Sequence, residues 1–364
     1  MGLTPHFFCD KHEPSKEETP LLTTDETEEE MEENTGVLEA KPKGNGLIKP
    51  ASSLAFLADQ GLVFERSRVA AQVRVSHLKL KGRNDPITEE LGKRAHDIEK
   101  FATAKIVELV KDHPTYPWWS RVTGAYPTIV GKIIGLIESF GKFYPVGDPL
   151  IPAHLQTEDG FYKRQPVEDN EGNFHIWVEG IERLPNRAAI MTLGGVTPDS
   201  KKVAGELLPY IDDLKMMLHR FMFYGCILTG NRYKDFYDRY KVRKKEELIN
   251  SGMKILPTPK GKFCEKCLVE REVPATTRYC PECDTRLSGK QEPEGILWLG
   301  HFDNICKRKI KVLFICHLWE VWRAGLGLPT GSPYPIEKLG HTTFISPWEM
   351  CDLPAEMAGK TANA

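Results

Sequence analysis

Four cysteines form two C-x-x-C pairs in the stretch "FCEKCLVEREVPATTRYCPEC", with twelve residues between the pairs: Cys264, Cys267, Cys280 and Cys283. Two such knuckles can place four thiolates in a tetrahedron around one metal ion, and a closed set leaves no position for a reacting water. The spacing therefore predicts a zinc ribbon with a structural role. Iron in a rubredoxin-like site is the alternative. An odd total of nine cysteines favours thiols and metal over a disulfide framework.

A second motif, "WWSRVTGAYPTIVGKIIGLI" (118–137), indicates two short helices joined by a glycine turn. In a helix-hairpin-helix the turn reads G-hydrophobic-G, and its backbone N–H groups meet a phosphate where the second helix begins. Gly124 fits this turn, while Tyr126 occupies the second glycine position. Thr128 and Lys132 follow in the second helix and are candidate phosphate contacts. A plain helical turn is the alternative.

Basic residues also cluster in the run "KRKIK", from Lys307 to Lys311. We expect this run at the start of the last helix, where the helix dipole disfavours cations and an external anion would relieve that cost. Lys307 and Arg308 are therefore candidate phosphate contacts. A solvated helix face explains the same residues.

The charge of the chain is uneven along its length. Residues 16–33 carry nine acids and one lysine, a local charge of −8, which leaves +6 elsewhere from a total of −2. A basic body behind an acidic segment is compatible with an anionic partner. The sequence contains no P-loop, no G-x-S-x-G and no H-E-x-x-H.

Periodicity and breaks predict a mainly α fold: a helical arm, then a helix-hairpin-helix-like helical domain with a small β-hairpin insertion and an inserted zinc ribbon. The predicted divisions are a disordered acidic tail at 1–50, a helical hairpin or coiled-coil arm at 51–112, the helical domain at 113–260, the ribbon at 261–290, a C-terminal helix completing the domain at 291–354, and a tail at 355–364.

Several elements can be placed more closely. The second helix of the arm should begin with Asp85 as N-cap and Pro86 at its first position. Its apolar stripe, which comprises Ile87, Leu91, Ile98, Phe101, Ile106 and Leu109, suggests either packing within the chain or an arm that dimerises. A turn at 170–173 predicts the β-hairpin. Further helices are expected at 205–227 and 302–323, and His317 and Trp319 on the latter should lie in a packed core with satisfied polar atoms.

The first ten residues lack a secretory signal, and the longest apolar stretches fall short of the roughly 20 residues needed to cross a bilayer. We expect a cytoplasmic protein without a membrane partner.

Three segments in order resemble the C-terminal half of the RNA-guided, DEDD-type insertion-sequence transposases: "HPTYPWWSRVTGAYPTIVGKIIGLI", "GGVTPDSKKVAGELLPYIDDLKMMLHRFM" with "YKDFYDRYK", and "KIKVLFICHLWEVWRAGLGLP". The resemblance implies a helix-hairpin-helix, basic helices that grip nucleic acid, and a helical arm for assembly. It also places the family's serine nucleophile at Ser200, although Lys201 follows where the family has glycine. Lys201, Lys202 and Lys215 join the candidate nucleic-acid contacts.

The resemblance lacks one part. Members of that family carry an N-terminal RuvC-like domain with four acids that bind magnesium, whereas about 60 foldable residues precede the hairpin here, and the sequence does not support a magnesium site. We therefore expect a transposase-related protein that binds DNA or structured RNA and does not cut it unaided. One alternative is an active transposase subunit that uses Ser200 with the metal site of a separate catalytic subunit. The other is a zinc-stabilised scaffold for protein contacts, in either case with the arm available for homo-oligomers.

Overall fold

Helices form most of this protein, whose structure is a computed structural model. It describes residues 47, 52–197, 200, 205–257, 261–273, 277–287, 292–331, 344–354 and 356. These belong to one compact unit, Asn45–Ala364. The predicted acidic tail lies outside the described residues except for Leu47, as does most of the predicted C-terminal tail.

The arm consists of α1 (Ser53–Leu80) and α2 (Pro86–Leu109). As predicted, the Asp85 carboxylate accepts the N–H of Thr88 and Pro86 occupies the first helical position. Small residues line the contact between the two helices, since a Cβ on Gly92 would lie 3.2 Å from that of Ala71. Short side chains at these positions let the two backbones approach closely.

The apolar stripe of α2 does not form this contact. Of its six residues, Ile106 alone is buried, while Ile87 is 82% and Phe101 60% exposed. The prediction that this stripe packs within the chain is therefore wrong for most of its length in the described residues. Ala95 and Ala102 occupy the buried face of α2 instead.

The described residues after the arm form six further helices: α3 (Tyr116–Trp119), α4 (Pro127–Glu138), α5 (Arg187–Leu193), α6 (Asp212–Arg220), α7 (Arg232–Asn250) and α8 (Leu299–Gly325). A π-helix, Phe221–Leu228, continues α6, and 3-10 turns lie at Val110–Asp112, Ala153–Leu155 and Pro347–Met350. The core centres on Trp118, Ile133, Leu218, Phe314 and Trp319, all fully buried. His317 and Trp319 have hydrogen-bond partners in this core, as predicted.

Two helix starts differ from the prediction. The helix expected from Gly205 begins at Asp212, and Leu207, which lies within the predicted range, is 97% exposed. Pro209 lacks an N–H and disfavours helix in the residue before it, which explains the later start. Conversely, α8 begins at Leu299, so Lys307 lies in its third turn and the unfavourable helix dipole predicted for this run does not apply.

A three-stranded antiparallel sheet follows α4. Strands β1 (Lys142–Pro145), β2 (Val167–Glu168) and β3 (Phe174–Val178) lie in the order β1-β3-β2. The predicted hairpin is present, with Gly172 at φ 83° in its turn. The four-residue β1 was missed.

A two-stranded parallel sheet supports the cysteine module. Strand β4 (Lys254–Leu256) pairs with β7 (Ile296–Trp298), so the two ends of the insertion meet directly after α7 and before α8. Inside it, β5 (Lys262–Cys264) pairs with β6 (Val269–Arg271). β5 and β6 thus form a short hairpin around the first knuckle, Cys264 to Cys267. Within the residues that the structure describes, we find no helix with the length and apolar character of a membrane span.

Candidate functional site

The four predicted metal ligands lie together. Their sulfur atoms fall within 4.8 Å of one another, with Sγ–Sγ distances of 3.3 Å for Cys267–Cys283, 3.4 Å for Cys264–Cys283 and 4.0 Å for Cys267–Cys280. Zinc–sulfur bonds in a regular tetrahedron imply sulfur separations of about 3.8 Å. These distances are far longer than a disulfide bond, and all four cysteines are free. The cluster is therefore compatible with a structural zinc site.

The second knuckle favours thiolates. The Thr285 hydroxyl and backbone N–H lower the pKa of the Cys283 thiol to about 6, and backbone N–H groups of Glu282 and Cys283 lower the pKa of Cys280. A thiolate is the form of cysteine that binds a metal. In both knuckles the residue after the second cysteine, Leu268 or Asp284, has positive φ, which turns the chain back.

The predicted phosphate turn faces the protein interior. Gly124 has φ 81°, and a Cβ there would lie 2.1 Å from the carbonyl oxygen of Gly225. The Asp352 carboxylate accepts the N–H of Thr123 at 2.8 Å and that of Arg232 at 2.9 Å. The Asp352 carboxylate thus joins the residue before Gly124 to the first residue of α7. The prediction that Gly124 contacts a phosphate is therefore corrected: Gly124 packs against the Gly225 backbone.

Lys132 is also unavailable to a partner. It is buried, and its Nζ lies 3.3 Å from Glu65 of α1, which also accepts two hydrogen bonds from Arg220. Although burial alone would raise it, the hydrogen bonds from Arg220 and the charge of Lys132 lower the pKa of Glu65. The role predicted for Lys132 as a phosphate contact is corrected to that of an internal ion pair. Thr128 is half-buried in the first turn of α4, and no described contact links it to the other candidates.

Three other predicted contacts, Lys215, Lys307 and Arg308, lie close together between α6 and α8. Lys215 and His219 lie one turn apart on α6, while α8 presents Lys307, Arg308 and Lys311; we call these five residues the cationic cluster. Their helices are held together by apolar faces that include Leu214, Leu218, Ile310 and Phe314, all fully buried. The register of this packing brings the charges of the two helices to one surface.

The cluster is electrostatically unbalanced. Burial, and then the charges of Lys215 and Arg308, lower the pKa of Lys311 to about 8. Burial and the charges of Lys311 and Lys307 likewise lower the pKa of His219. No carboxylate pairs with Lys311 in the described part of the chain. Like charges at close range disfavour protonation, so an anion placed among them would be stabilised.

A cavity of about 700 Å³ opens at this cluster. Lys215, His219 and Lys311 line it together with Arg66, Asp212 and Asp213, and Arg66 pairs with Asp213. Lys307 lies nearby but pairs with Asp303 at 2.5 Å, which leaves Lys215, Arg308 and Lys311 as the less compensated cations.

The orientation of Lys215 is fixed by the glycine segment before Ser200. A Cβ on Gly195 would lie 2.9 Å from Lys215 Cδ and from the Tyr210 ring, so only glycine leaves room for the lysine stem. The ammonium group lies 4.1 Å from the centroid of the Tyr210 ring and donates to the Ser200 carbonyl at 3.3 Å. Ser200 therefore borders the cluster, and its Oγ lies 2.6 Å from Thr197 Oγ1. Lys201 and Lys202 lie outside the described residues.

Sequence reasoning missed His219 and Arg66, and it named the run that ends at Lys311 without including Lys311 among the candidate contacts. The four-residue spacing of 215/219 and of 307/311 places each pair on one helix face, and this signal was present in the sequence. It was Arg66, from the distant α1, that no local pattern could reveal. No family of known proteins matches this chain, nor does any characterised protein or solved structure.

Proposed function

We propose that this protein binds nucleic acid through the cationic cluster between α6 and α8. The observation that carries the proposal is the environment of Lys311, a half-buried ammonium group that faces Lys215 and Arg308 without a pairing carboxylate among the described residues. A phosphate group would supply the missing negative charge. Because phosphate contacts carry no base information, binding should show little sequence preference.

The test compares wild type with a triple variant, Lys215→Gln, Arg308→Gln and Lys311→Gln. The matched control removes the same charge from exposed lysines of the arm and the turn after it, as Lys93→Gln, Lys100→Gln and Lys111→Gln. Affinity for a random-sequence duplex and for a hairpin RNA is measured across a salt series.

The cluster variant should bind both probes more weakly and flatten the salt dependence by up to about three logarithmic units of slope, one for each phosphate contact. The control should stay close to wild type. Wild-type binding that is absent or insensitive to salt would overturn the proposal, as would equal losses in the two variants. The hypothesis of a zinc-stabilised scaffold for protein contacts would then be favoured.

A second candidate function is strand transfer with Ser200 as nucleophile, which is favoured by the position of Ser200 beside the cluster. In the described part of the chain, the four cysteines are the only group of three or more possible metal ligands. A magnesium site would then come from a separate catalytic subunit. A covalent DNA adduct that forms with such a subunit and disappears in Ser200→Ala would support this function, whereas an adduct that persists in the variant would refute it.

The cysteine cluster should hold one zinc ion that supports the ribbon and takes no part in a reaction. When bound, zinc would add four metal–sulfur bonds to a module whose apolar cluster is otherwise small. Native mass spectrometry should show one zinc per chain, lost in the double variant Cys280→Ser with Cys283→Ser. Iron would be recognised by its mass and visible absorption, and a double variant that keeps its metal would contradict the assignment.

Assembly through the arm remains a prediction. The exposed stripe of α2 offers an apolar surface that a second copy could cover. Light scattering of wild type and of Leu91→Glu with Phe101→Glu should show a larger species that the variant loses, and a wild-type monomer at high concentration would rule out such assembly.

A further inference from the structure

A second cavity, of about 1240 Å³, lies along α7 and shares no lining residue with the one at the cationic cluster. Its walls include Phe236, Tyr240, Arg239 and Arg243 of α7, together with Phe344 from the chain before the last 3-10 turn. We call this cavity the α7 groove. The α7 groove brings aromatic and guanidinium side chains to one surface.

The aromatic residues of α7 form two distinct sets. Tyr233 and Tyr237 are buried, and their hydroxyl groups bond to His317 and Asp303 of α8. Phe236 and Tyr240 lie on the adjacent face, half-buried, with nearly parallel rings at 19° and centroids 6.1 Å apart. The first set fixes α7 against α8, whereas the second set lines the groove.

Two cations lie near the Tyr240 ring. The Arg243 guanidinium lies 5.6 Å and the Lys309 ammonium 5.7 Å from the centroid of the Tyr240 ring. Arg239 and Arg243 are exposed, and neither forms an ion pair with the residues that the structure describes.

Three carboxylates also line the groove, those of Asp235, Asp238 and Glu349. Asp238 pairs with Lys234, and the Glu349 carboxylate accepts the Ser346 N–H in a capping box. The charge of Asp238 is thus balanced by Lys234, whereas Glu349 keeps its charge. Asp235 and Glu349 therefore stand against four cations, Arg232, Arg239, Arg243 and Lys309. The groove therefore has the charge that complements a polyanion and rings that can accept a flat partner.

We propose that the α7 groove binds unpaired nucleobases of a single-stranded nucleic acid, which stack on Tyr240 and Phe236 while Arg239, Arg243 and Lys309 contact the adjoining phosphates. This inference rests on the proposed function, because it adds base contacts to the phosphate contacts proposed for the cationic cluster. Lys309 directly follows Arg308 of the cationic cluster, so α8 supplies cations to both sites. Aromatic platforms with basic side chains bind single strands in this way, largely without regard to sequence.

The experiment separates bases from phosphates. Affinity is measured for an oligothymidylate of about 15 nucleotides and for an abasic strand of equal length, which has the same phosphates and no bases. The proteins are wild type, Tyr240→Leu, Tyr240→Phe and, as a control outside the groove, Phe174→Leu, which changes an exposed ring on β3.

Wild type and Phe174→Leu should prefer the thymidylate by about tenfold, the contribution expected of one stacked base. Tyr240→Leu should lose most of this preference while its affinity for the abasic strand is unchanged, and Tyr240→Phe should keep it. Equal wild-type affinity for the two strands would overturn the groove inference and leave the proposed function intact. Absence of binding to either strand would overturn the proposed function itself.

A second measurement covers the case in which Tyr240→Leu fails to fold. Photo-crosslinking of wild type to an oligonucleotide with iodouracil, followed by peptide mapping, should label Tyr240 or Phe236. Labels confined to other peptides would contradict the proposal.

Discussion

Lys132 of α4 and Lys311 of α8 illustrate two opposite treatments of a lysine that is largely removed from solvent. Lys132 shares the Glu65 carboxylate with Arg220, so its charge is compensated inside the protein. Lys311 faces Lys215 and Arg308, and its pKa falls to about 8. A lysine without compensation costs folding free energy, and a partner can relieve that cost. The candidate interface is therefore marked by a cation that no described carboxylate pairs with, and not simply by the presence of a basic residue.

The largest expected effect is loss of the compensated pair. Glu65→Gln should lower the free energy of unfolding by about 3 to 5 kcal/mol, because Lys132 and Arg220 would remain largely buried without a counter-charge. Urea denaturation measures the change. Glu90→Gln, which breaks the exposed pair with Arg94, is the control and should leave the stability close to that of wild type. Equal losses in the two variants would show that Lys132 does not depend on Glu65.

The same comparison applies to the glycine turn at Gly124, where the Asp352 carboxylate accepts the N–H of Thr123. Gly124→Ala should cost about 2 to 4 kcal/mol of stability, because the new methyl group would overlap the Gly225 carbonyl and φ is positive. Gly160→Ala, at φ 80° with no atom within 4 Å, isolates the backbone part and should cost about 1 to 2 kcal/mol. Thermal unfolding measures both. A folded Gly124→Ala variant of unchanged stability would mean that the turn is open to a ligand.

Lys311→Met should raise the free energy of unfolding, in contrast to the two preceding changes. Removal of the uncompensated charge should stabilise the free protein by about 1 to 2 kcal/mol, while affinity for nucleic acid should fall. Lys132→Met should instead destabilise it, because Glu65 would keep only Arg220 as partner. Calorimetry on the free proteins, paired with binding at one salt concentration, gives both signs. A destabilised Lys311→Met variant would place Lys311 among the structural residues.

The smallest effect concerns pH. The pKa of Lys311 in the folded protein, about 8, lies below its ordinary value, so the unfolded chain binds more protons above pH 8 and stability should rise with pH there. A bound anion would raise that pKa, so affinity should instead fall as the pH rises above about 8. The stability change from this group should be about 1 kcal/mol or less per pH unit, and it should be absent in Lys311→Met. Stability and affinity that change in the same direction would contradict the proposed role.

Local features of the fold were predictable from sequence. The cysteine cluster, the Asp85–Pro86 helix start and the turn at Gly172 depend on residues close together in the chain, and the structure contains all three. Short or irregular elements were missed because their stability comes from neighbours. Strand β1 exists through its pairing with β3, and the π-helix after α6 passes Gly225 against the Gly124 turn.

The mainly helical class, the cysteine set and the positions of the basic residues along the chain could all be predicted from the sequence. Which of those basic residues are paired with a carboxylate depends on tertiary packing. Glu65 reaches Lys132 across 67 residues, and Asp352 reaches Thr123 across 229, whereas no comparable carboxylate reaches Lys311 within the described residues. The physical reason is that a charge interacts with whatever packing places within a few ångströms, and sequence patterns report only neighbours along one element.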